Sequence, residues 1–449
     1  MLQNEQINIC LKDILNFPKP IDLINYKDIS FAISPTTANW LVLKSDFQKL
    51  LLSKMEEGLS IGECLAFSQK KNKESELESL ISQIIAKEFG SINSPPPSLH
   101  TPSITKSIYI YVTNKCNLKC THCYMYSGKQ LPNELSLKSW LVLLQQFKDI
   151  GGETITLTGG EILEYDNWKE IIRFAYDLDL KIVILTNGTK WKEEDIEFAQ
   201  NYIHEIQISI DGPNEEINSM TRGKGNFEMS VSTAIAFANS GVSTSIATTP
   251  TPDTIDIIGD NYIEFSNKLK EETNGKIHFR ISQKLLNGRH YKSLNPKKAE
   301  YYYLKGKEIS NQIHPTYSVD NFSLNHQPNL GYKNCGWGGF SISSNGDIFL
   351  CNRISEINSI GHFPHDNLRD ILPTALHYYK LSSVDNVTPC KECSIRYICG
   401  GGCRIDDFSF KGDHKLLNEK TKIKSMCSKK NKERIYEQML QTSNYMYEF

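Results

Sequence analysis

The chain has 449 residues, with 50 Lys plus Arg against 52 Asp plus Glu, 39% hydrophobic and 23% charged residues, which is long enough for two or three globular domains. A formal net charge of -2 excludes the polybasic field by which nucleic acid or anionic lipid is held, so neither is an expected partner. No run approaches the roughly 18 to 20 unbroken apolar residues of a membrane span, and the opening MLQNEQINIC lacks the basic and apolar regions of a signal peptide; the expected location is the cytoplasm.

Residues 1–90 read as a separate module. ISFAISPTTANWLVLKS gives two strand-like runs about a Pro-Thr-Thr turn, DFQKLLLSKMEEG a helix stopped by Gly58, and KKNKESELESLISQIIAKEFG a second helix. Residues 91–106 form a proline-rich linker over SINSPPPSLHTPS. Over residues 107–290, β-branched runs alternate with amphipathic helices: SIYIYVTN, TITLTGG, KIVILTNGT, HEIQISIDG, TSIATTP and IHFRISQ are six strands separated by helical segments. That alternation predicts an α/β fold with a parallel sheet, a partial (β/α)6 barrel. Chemistry in such barrels gathers at the C-terminal ends of the strands, where Asn114–Cys123, Thr158–Glu161, Thr186–Thr189 and Ser209–Gly212 lie. A Tyr- and Asn-rich connection follows over 291–334, then a cysteine-dense domain over 335–430, and a polar C-terminal helix over 431–449.

The even count of twelve cysteines suits either disulfides or metal, and the missing signal peptide favours reduced thiols. Cys10 and Cys64 stand alone and read as structural. Cys116, Cys120 and Cys123 form a C-x3-C-x2-C run just after the first barrel strand, where three thiolates can converge on one iron-sulfur cluster. Three ligands for four irons leave one iron open to a substrate bearing its own amine and carboxylate, unlike a closed four-ligand zinc site. The other seven, Cys335, Cys351, Cys390, Cys393, Cys399, Cys403 and Cys427, crowd a region of short turns whose folding is expected to depend on metal.

CNLKCTHCY resembles the cluster motif of the radical S-adenosylmethionine (SAM) superfamily. TGGE, with Gly159, Gly160 and Glu161, resembles that family's second-strand motif, whose backbone and glutamate receive the SAM amino group. LTNGT, with Thr186 and Asn187, and QISIDGP, with Ser209 and Asp211, resemble segments lining the SAM ribose and methionine, and Arg222 resembles a further SAM-side arginine. The match covers about 130 residues in the family's order, although Ile162 stands where many relatives have proline. The cysteine-dense stretch resembles the SPASM domain, which carries two auxiliary clusters. The resemblance implies three [4Fe-4S] clusters: the SAM-binding one, a distal one on Cys390, Cys393, Cys399 and Cys427, and a proximal one on Cys335, Cys351 and Cys403. Some relatives supply a fourth proximal ligand six residues before the first cysteine, where this chain has Asn329. Read alone, CKECSIRYICGGGC also suits a zinc ribbon. The N-terminal module resembles the winged-helix element that binds a leader peptide by strand addition, and equally a generic small α+β cap.

Such an enzyme cleaves SAM reductively to a 5'-deoxyadenosyl radical that abstracts a substrate hydrogen, and auxiliary clusters imply that an electron then leaves the substrate. TGGEI, NCGWG, IGHFPHDNLRDIL and YICGGGC resemble sactipeptide maturases of the subtilosin type, which join cysteine sulfur to the α-carbon of another residue. The resemblance therefore implies a peptide maturase that crosslinks a ribosomally made precursor peptide by thioether bonds, fed by a donor such as flavodoxin or ferredoxin. Carbon-carbon or ether crosslinking, epimerisation and quinone-cofactor maturation stay open, as does a noncatalytic iron-sulfur or zinc protein. Asn352 stands where sulfatase-maturating relatives place a general-base aspartate, which disfavours that reaction because an amide takes no proton. Epimerisation is disfavoured too, since the barrel and SPASM cysteines are all assigned to clusters and none is left to donate hydrogen.

Overall fold

The computed structural model describes residues 10–91, 106–292, 294–314, 333, 335–408, 410 and 427–447; most of the expected linker, and residues 293, 315–332 (with Asn329) and 334 of the connection, lie outside them, while the described part of the connection forms the helix Pro296–Ile313. Near the N-terminus, Asp22–Tyr26 (β1), Ile29–Ile33 (β2) and Trp40–Leu43 (β3) form an antiparallel sheet in that order. Asp46–Glu56 (α1), Ile61–Gln69 (α2) and Glu74–Ala86 (α3) follow. The alternation of strand side chains sorts the sheet into two faces. Ala32, Leu41 and Leu43 pack with Leu51, Leu80 and Ile84 of the module's own helices. Phe31, Ile33, Trp40 and Val42 turn to the other core, where Tyr436 and Met439 of the C-terminal helix Lys429–Tyr447 cover them. Trp40 Nε1 donates to Ser443 Oγ at 3.1 Å, and Tyr26 OH and Lys27 Nζ reach Glu437 at 2.8 and 2.7 Å. The helix that reads as polar in sequence is thus the lid on one sheet face.

Two elements of the module escape the sequence reading. The strand β1 is a half-exposed edge without a clear alternation of residue type. The helix α2 is short and carries Gly62, but its Ser60 and Glu63 form a capping box, a signal present in the sequence. The opposite edge, β3, is closed by side chains: Val42 N–H donates to Gln83 Oε1 at 3.0 Å, Gln83 Nε2 donates to Val42 O at 3.1 Å, and Lys44 N–H donates to Gln48 Oε1 at 2.7 Å. Amides standing in for a strand protect an edge from unwanted pairing.

The six expected barrel strands form: Ser107–Tyr111 (β4), Thr154–Thr158 (β5), Lys181–Thr186 (β6), Glu205–Ser209 (β7), Ser243–Thr248 (β8) and Ile277–Ile281 (β9). They pair in chain order, all parallel, with Leu137–Asp149 (α4), Trp168–Asp177 (α5), Glu193–Ala199 (α6), Glu215–Arg222 (α7), Phe227–Ser240 (α8) and Gly259–Glu272 (α9) between them. One set of alternating residues, Ile108, Ile110, Ile155, Leu157, Ile182, Ile184, Ile206 and Ile208, is buried against the helices. The other set includes Leu185, Gln207 and Ser209, which line an interior cavity. In α4, Trp140, Leu143, Leu144 and Phe147 recur at helical spacing to make the buried stripe.

The cysteine-dense domain does not begin as a separate body. Phe340–Ile342 (β10) runs parallel to β4, pairing Phe340 with Ile108 and Ile342 with Ile110, and Asp347–Phe349 (β11) and Gly361–His362 (β12) continue outward. The resulting nine-stranded sheet has the order β12-β11-β10-β4-β5-β6-β7-β8-β9. The pairing therefore brings the segment leading into Cys351 beside the strand leading into Cys116. Among the described residues no helix is long and apolar enough to cross a membrane.

Candidate functional site

At the C-terminal ends of the barrel strands lies a cavity of about 320 Å³ lined by Cys116, Cys120, Cys123, His122, Gly159, Gly160, Thr186, Asn187, Ser209 and Arg222, among others. The loop after β4 that carries the cysteines is fixed at its root by Glu134. That carboxylate accepts from Thr113 Oγ1 at 2.7 Å, Asn114 N–H at 2.6 Å and Leu131 N–H at 3.1 Å. Glu134 is not among the site residues legible in the sequence; it lies outside every motif and acts through backbone it meets only in the fold.

The Gly159–Gly160 pair lies flush against this loop, with Gly160 N–H donating to Thr113 O at 2.7 Å and Glu161 N–H to Lys115 O at 2.9 Å. A Cβ on Gly160 would stand 2.2 Å from Lys115 O and 2.7 Å from Asn114 O, so only glycine allows the approach. Thr186 and Asn187, at the end of β6, are held from behind. Thr186 Oγ1 donates to Glu161 Oε1 at 2.6 Å, Asn187 N–H to Glu161 Oε2 at 2.8 Å, and Asn187 Nδ2 to Asn117 Oδ1 at 2.9 Å. Burial raises the Glu161 carboxyl above its ordinary value while these donors pull it back.

Glu161 and Asp211 are not among the residues that line this cavity. Glu161 is 1% exposed with its carboxylate committed to β6, and Asp211 is 0% exposed behind the cavity wall. Asp211 Oδ1 accepts from Thr249 N–H at 2.8 Å, while its Oδ2 stands 2.7 Å from Arg222 Nε and 3.4 Å from His122 Nε2. The Arg222 contact lies off the hydrogen-bond line, so it is held by charge. Arg222 reaches on to Cys120, with Nη1 4.0 Å from Sγ. His122, which no motif assignment singles out, lines the cavity with its Nδ1 buried and without an acceptor or donor among the described residues.

The donor chemistry fits a thiolate-held cluster. Burial pushes Cys116 up to about 12, with the Leu118 N–H pulling it down, and burial raises Cys120 against the pull of Arg222. These are thiols that deprotonate when a metal takes the sulfur, and the Leu118 N–H at 3.4 Å from Cys116 Sγ is the kind of donor that stabilises a cluster thiolate. Among the described residues no three His, Cys, Asp or Glu side chains close around a single metal ion. A cluster gives each thiolate its own iron and so needs a wider spread.

All twelve cysteines are free thiols. Cys351 is pushed up to about 11 by burial, against the pull of the Arg353 N–H, and the nearby Cys335 and Cys403 add to the rise. Cys393 is raised by burial, and the nearby Cys399 and Cys427 add to the rise. The structure thus gathers Cys335, Cys351 and Cys403 in one neighbourhood and Cys393, Cys399 and Cys427 in another, while Cys390 lies beside Gly401 and Arg404. Cys64 is buried in the core of the N-terminal module and Cys10 is exposed at its surface. A second cavity of about 220 Å³, walled by Lys284, Arg353, Glu356 and Asp406, adjoins the first, and Lys284 lines both.

Residues 110–260 match the family model of the radical SAM superfamily. The sporulation killing factor maturation protein SkfB of Bacillus subtilis is 31% identical over 184 residues, 41% of this chain and 43% of that protein. The antilisterial bacteriocin subtilosin biosynthesis protein AlbA of the same organism is 26% identical over 293 residues, 59% of each chain. The match thus spans about half the length of these curated relatives. The solved structure of native anSMEcpe with bound AdoMet has the same fold over 76% of this chain and 97% of that one, at 18% identity and a TM-score of 0.54. With the strand order, the cysteine loop and its glycine partner in place, the barrel segment of this chain is a radical SAM domain.

Proposed function

We propose that the chain is a radical SAM peptide maturase that oxidatively crosslinks a ribosomally made precursor peptide by thioether bonds. The observation that carries this reading is the cavity in which three thiols, the Gly159–Gly160 backbone, Thr186, Asn187, Ser209 and Arg222 converge at the strand ends. Cys116, Cys120 and Cys123 would hold a [4Fe-4S] cluster, and the backbone and polar residues would hold SAM. With both bound, the site supplies reductive SAM cleavage and a carbon radical that abstracts a substrate hydrogen. The chain's own contribution is to hold these groups before substrate arrives: Glu161 fixes the end of β6, Asp211 fixes Arg222, and Glu134 fixes the cysteine loop.

Forming a thioether removes a thiol hydrogen and an α-carbon hydrogen from the peptide. One hydrogen leaves on the deoxyadenosyl carbon, and the other leaves as a proton together with one electron. The proposed acceptors for that electron are two auxiliary [4Fe-4S] clusters, one on Cys335, Cys351 and Cys403, the other on Cys390, Cys393, Cys399 and Cys427. The cavity that adjoins the first through Lys284 would give the peptide a place between SAM and Cys403, a reading supported by Arg353 on its wall, which donates to Cys403 Sγ at 3.3 Å. The N-terminal module would bind the leader by strand addition, with the edge of β1 open among the described residues and that of β3 capped by Gln83 and Gln48. A flavodoxin or ferredoxin in the cytoplasm would supply the first electron. The names of SkfB and AlbA, which concern a killing factor and a bacteriocin, support a peptide substrate.

The test is the intact mass of a short cysteine-bearing peptide encoded beside the gene, coexpressed anaerobically with the chain or with its Cys116→Ala/Cys120→Ala/Cys123→Ala variant. A loss of two hydrogens per modified site, absent with the variant and accompanied by loss of alkylatable thiol, is the expected result. An unchanged mass with deuterium taken up from heavy water would replace crosslinking by epimerisation.

A further inference from the structure

Arg404 directly follows Cys403 and is 0% exposed. Its Nε donates to Ser382 O at 2.6 Å, and its Nη1 donates to Gly402 O at 2.6 Å and Gly400 O at 3.2 Å. The Phe408 ring lies 5.0 Å from the guanidinium carbon. Nη2 is buried and finds no acceptor among the described residues. The nearest acidic neighbour in sequence, Asp407, accepts from Cys403 N–H at 2.8 Å. Among the described residues its hydrogen-bond acceptors are carbonyls, and a buried guanidinium without a hydrogen-bonded anion is expensive.

Three sulfurs and one carboxylate act on its charge: Cys335, Cys390, Cys403 and Asp407. A Cβ built on Gly401 would stand 3.3 Å from Cys390 Sγ and 3.4 Å from Arg404 Nη2, so both crowd the same point. Cys335 and Cys403 belong to the proximal group and Cys390 to the distal one, so Arg404 lies between the two. Arg353 makes the contrast. It also touches Cys403, but Glu356 at 2.5 Å and Asp406 at 2.7 Å already balance its charge.

We propose that Arg404 is the internal counter-cation shared by the two auxiliary clusters, with its free Nη2–H directed to a cluster or cysteine sulfur, and that it raises the reduction potential of both. This rests on the auxiliary-cluster reading given above. A fixed positive charge and an N–H to sulfur favour the more negative, reduced form of a cluster. Arg404 is thus a positioning residue, since it acts on substrate only through the clusters.

The experiment uses the Cys116→Ala/Cys120→Ala/Cys123→Ala chain, reconstituted anaerobically so that only auxiliary clusters give an electron paramagnetic resonance signal. In a potentiometric titration, R404Q should shift both midpoints to more negative values, R404K should stay closer to the parent, and R353Q should move the proximal midpoint less than R404Q does. Full iron content in R404Q with both midpoints unmoved overturns the inference alone. A parent that takes up no iron overturns the auxiliary-cluster reading and the inference with it. Should R404Q not fold, the unsubstituted site is read directly: with ¹⁵N-arginine in an R353K background, the reduced clusters should show a nitrogen hyperfine coupling, and its absence overturns the proposal.

Discussion

The two cysteine regions of this chain are built in opposite ways. Around Cys116, Cys120 and Cys123 the fold does the positioning. Six parallel strands bring their C-terminal ends together, and the half-buried carboxylate of Glu134 and the buried ones of Glu161 and Asp211 hold the segments that form the cavity. Around Cys390, Cys393, Cys399 and Cys403 the elements are a 3-10 turn at Cys390–Glu392 and a single helical turn at Arg396–Cys399. There the largest buried polar group is Arg404, whose Nη2 has no partner among the described residues. A site that must bind and release a small molecule on every turnover needs walls that persist without it. A site that, under the proposed function, only takes up electrons can be assembled by its metal.

The barrel half of that comparison can be broken without any metal present. Asp211→Asn leaves Arg222 charged in a buried wall, and losing one member of a buried pair costs about 3 kcal/mol. Urea denaturation of the metal-free chain should show a loss of that order, together with loss of SAM binding after reconstitution. Gly160→Ala is expected to cost less, about 1 to 3 kcal/mol, because the backbone at Lys115 has to move away from the new methyl group. Its larger effect should be on iron bound at the first cluster, since the displaced loop carries Cys116. If Gly160→Ala loads that cluster normally, the close packing of the two loops is not what places the cysteines.

Much of the barrel is legible in sequence because its signals are local. Isoleucines at every second position mark strands such as KIVILT, and glycine next to glycine after a strand marks a close backbone approach. The short cysteine spacings are equally local. What stays hidden depends on partners far away in the chain. Gln83 and Gln48 read as ordinary helix residues until β3 is found beside them, and Glu134 reads as a loop acid until Thr113 and Asn114 are placed. The pairing of β10 with β4 links residues more than two hundred positions apart, and three-residue strands leave too little alternation to be seen. Glu161 and Asp211 are found by motif, but the motif does not tell that their carboxylates are tied to the end of β6 and to Arg222. A motif identifies a position, whereas whether its side chain faces the cavity or braces the wall behind it is decided by packing.

Hydrogen exchange, followed by mass spectrometry on the metal-free and the anaerobically reconstituted chain, tests the contrast most directly, because it reads local stability segment by segment. The account predicts that peptides over β4 to β7 are protected in both forms, and that residues 390–408 gain strong protection only when iron and sulfide are bound. Equal protection of residues 390–408 in the two forms, or a barrel that opens whenever the metal is removed, would contradict it.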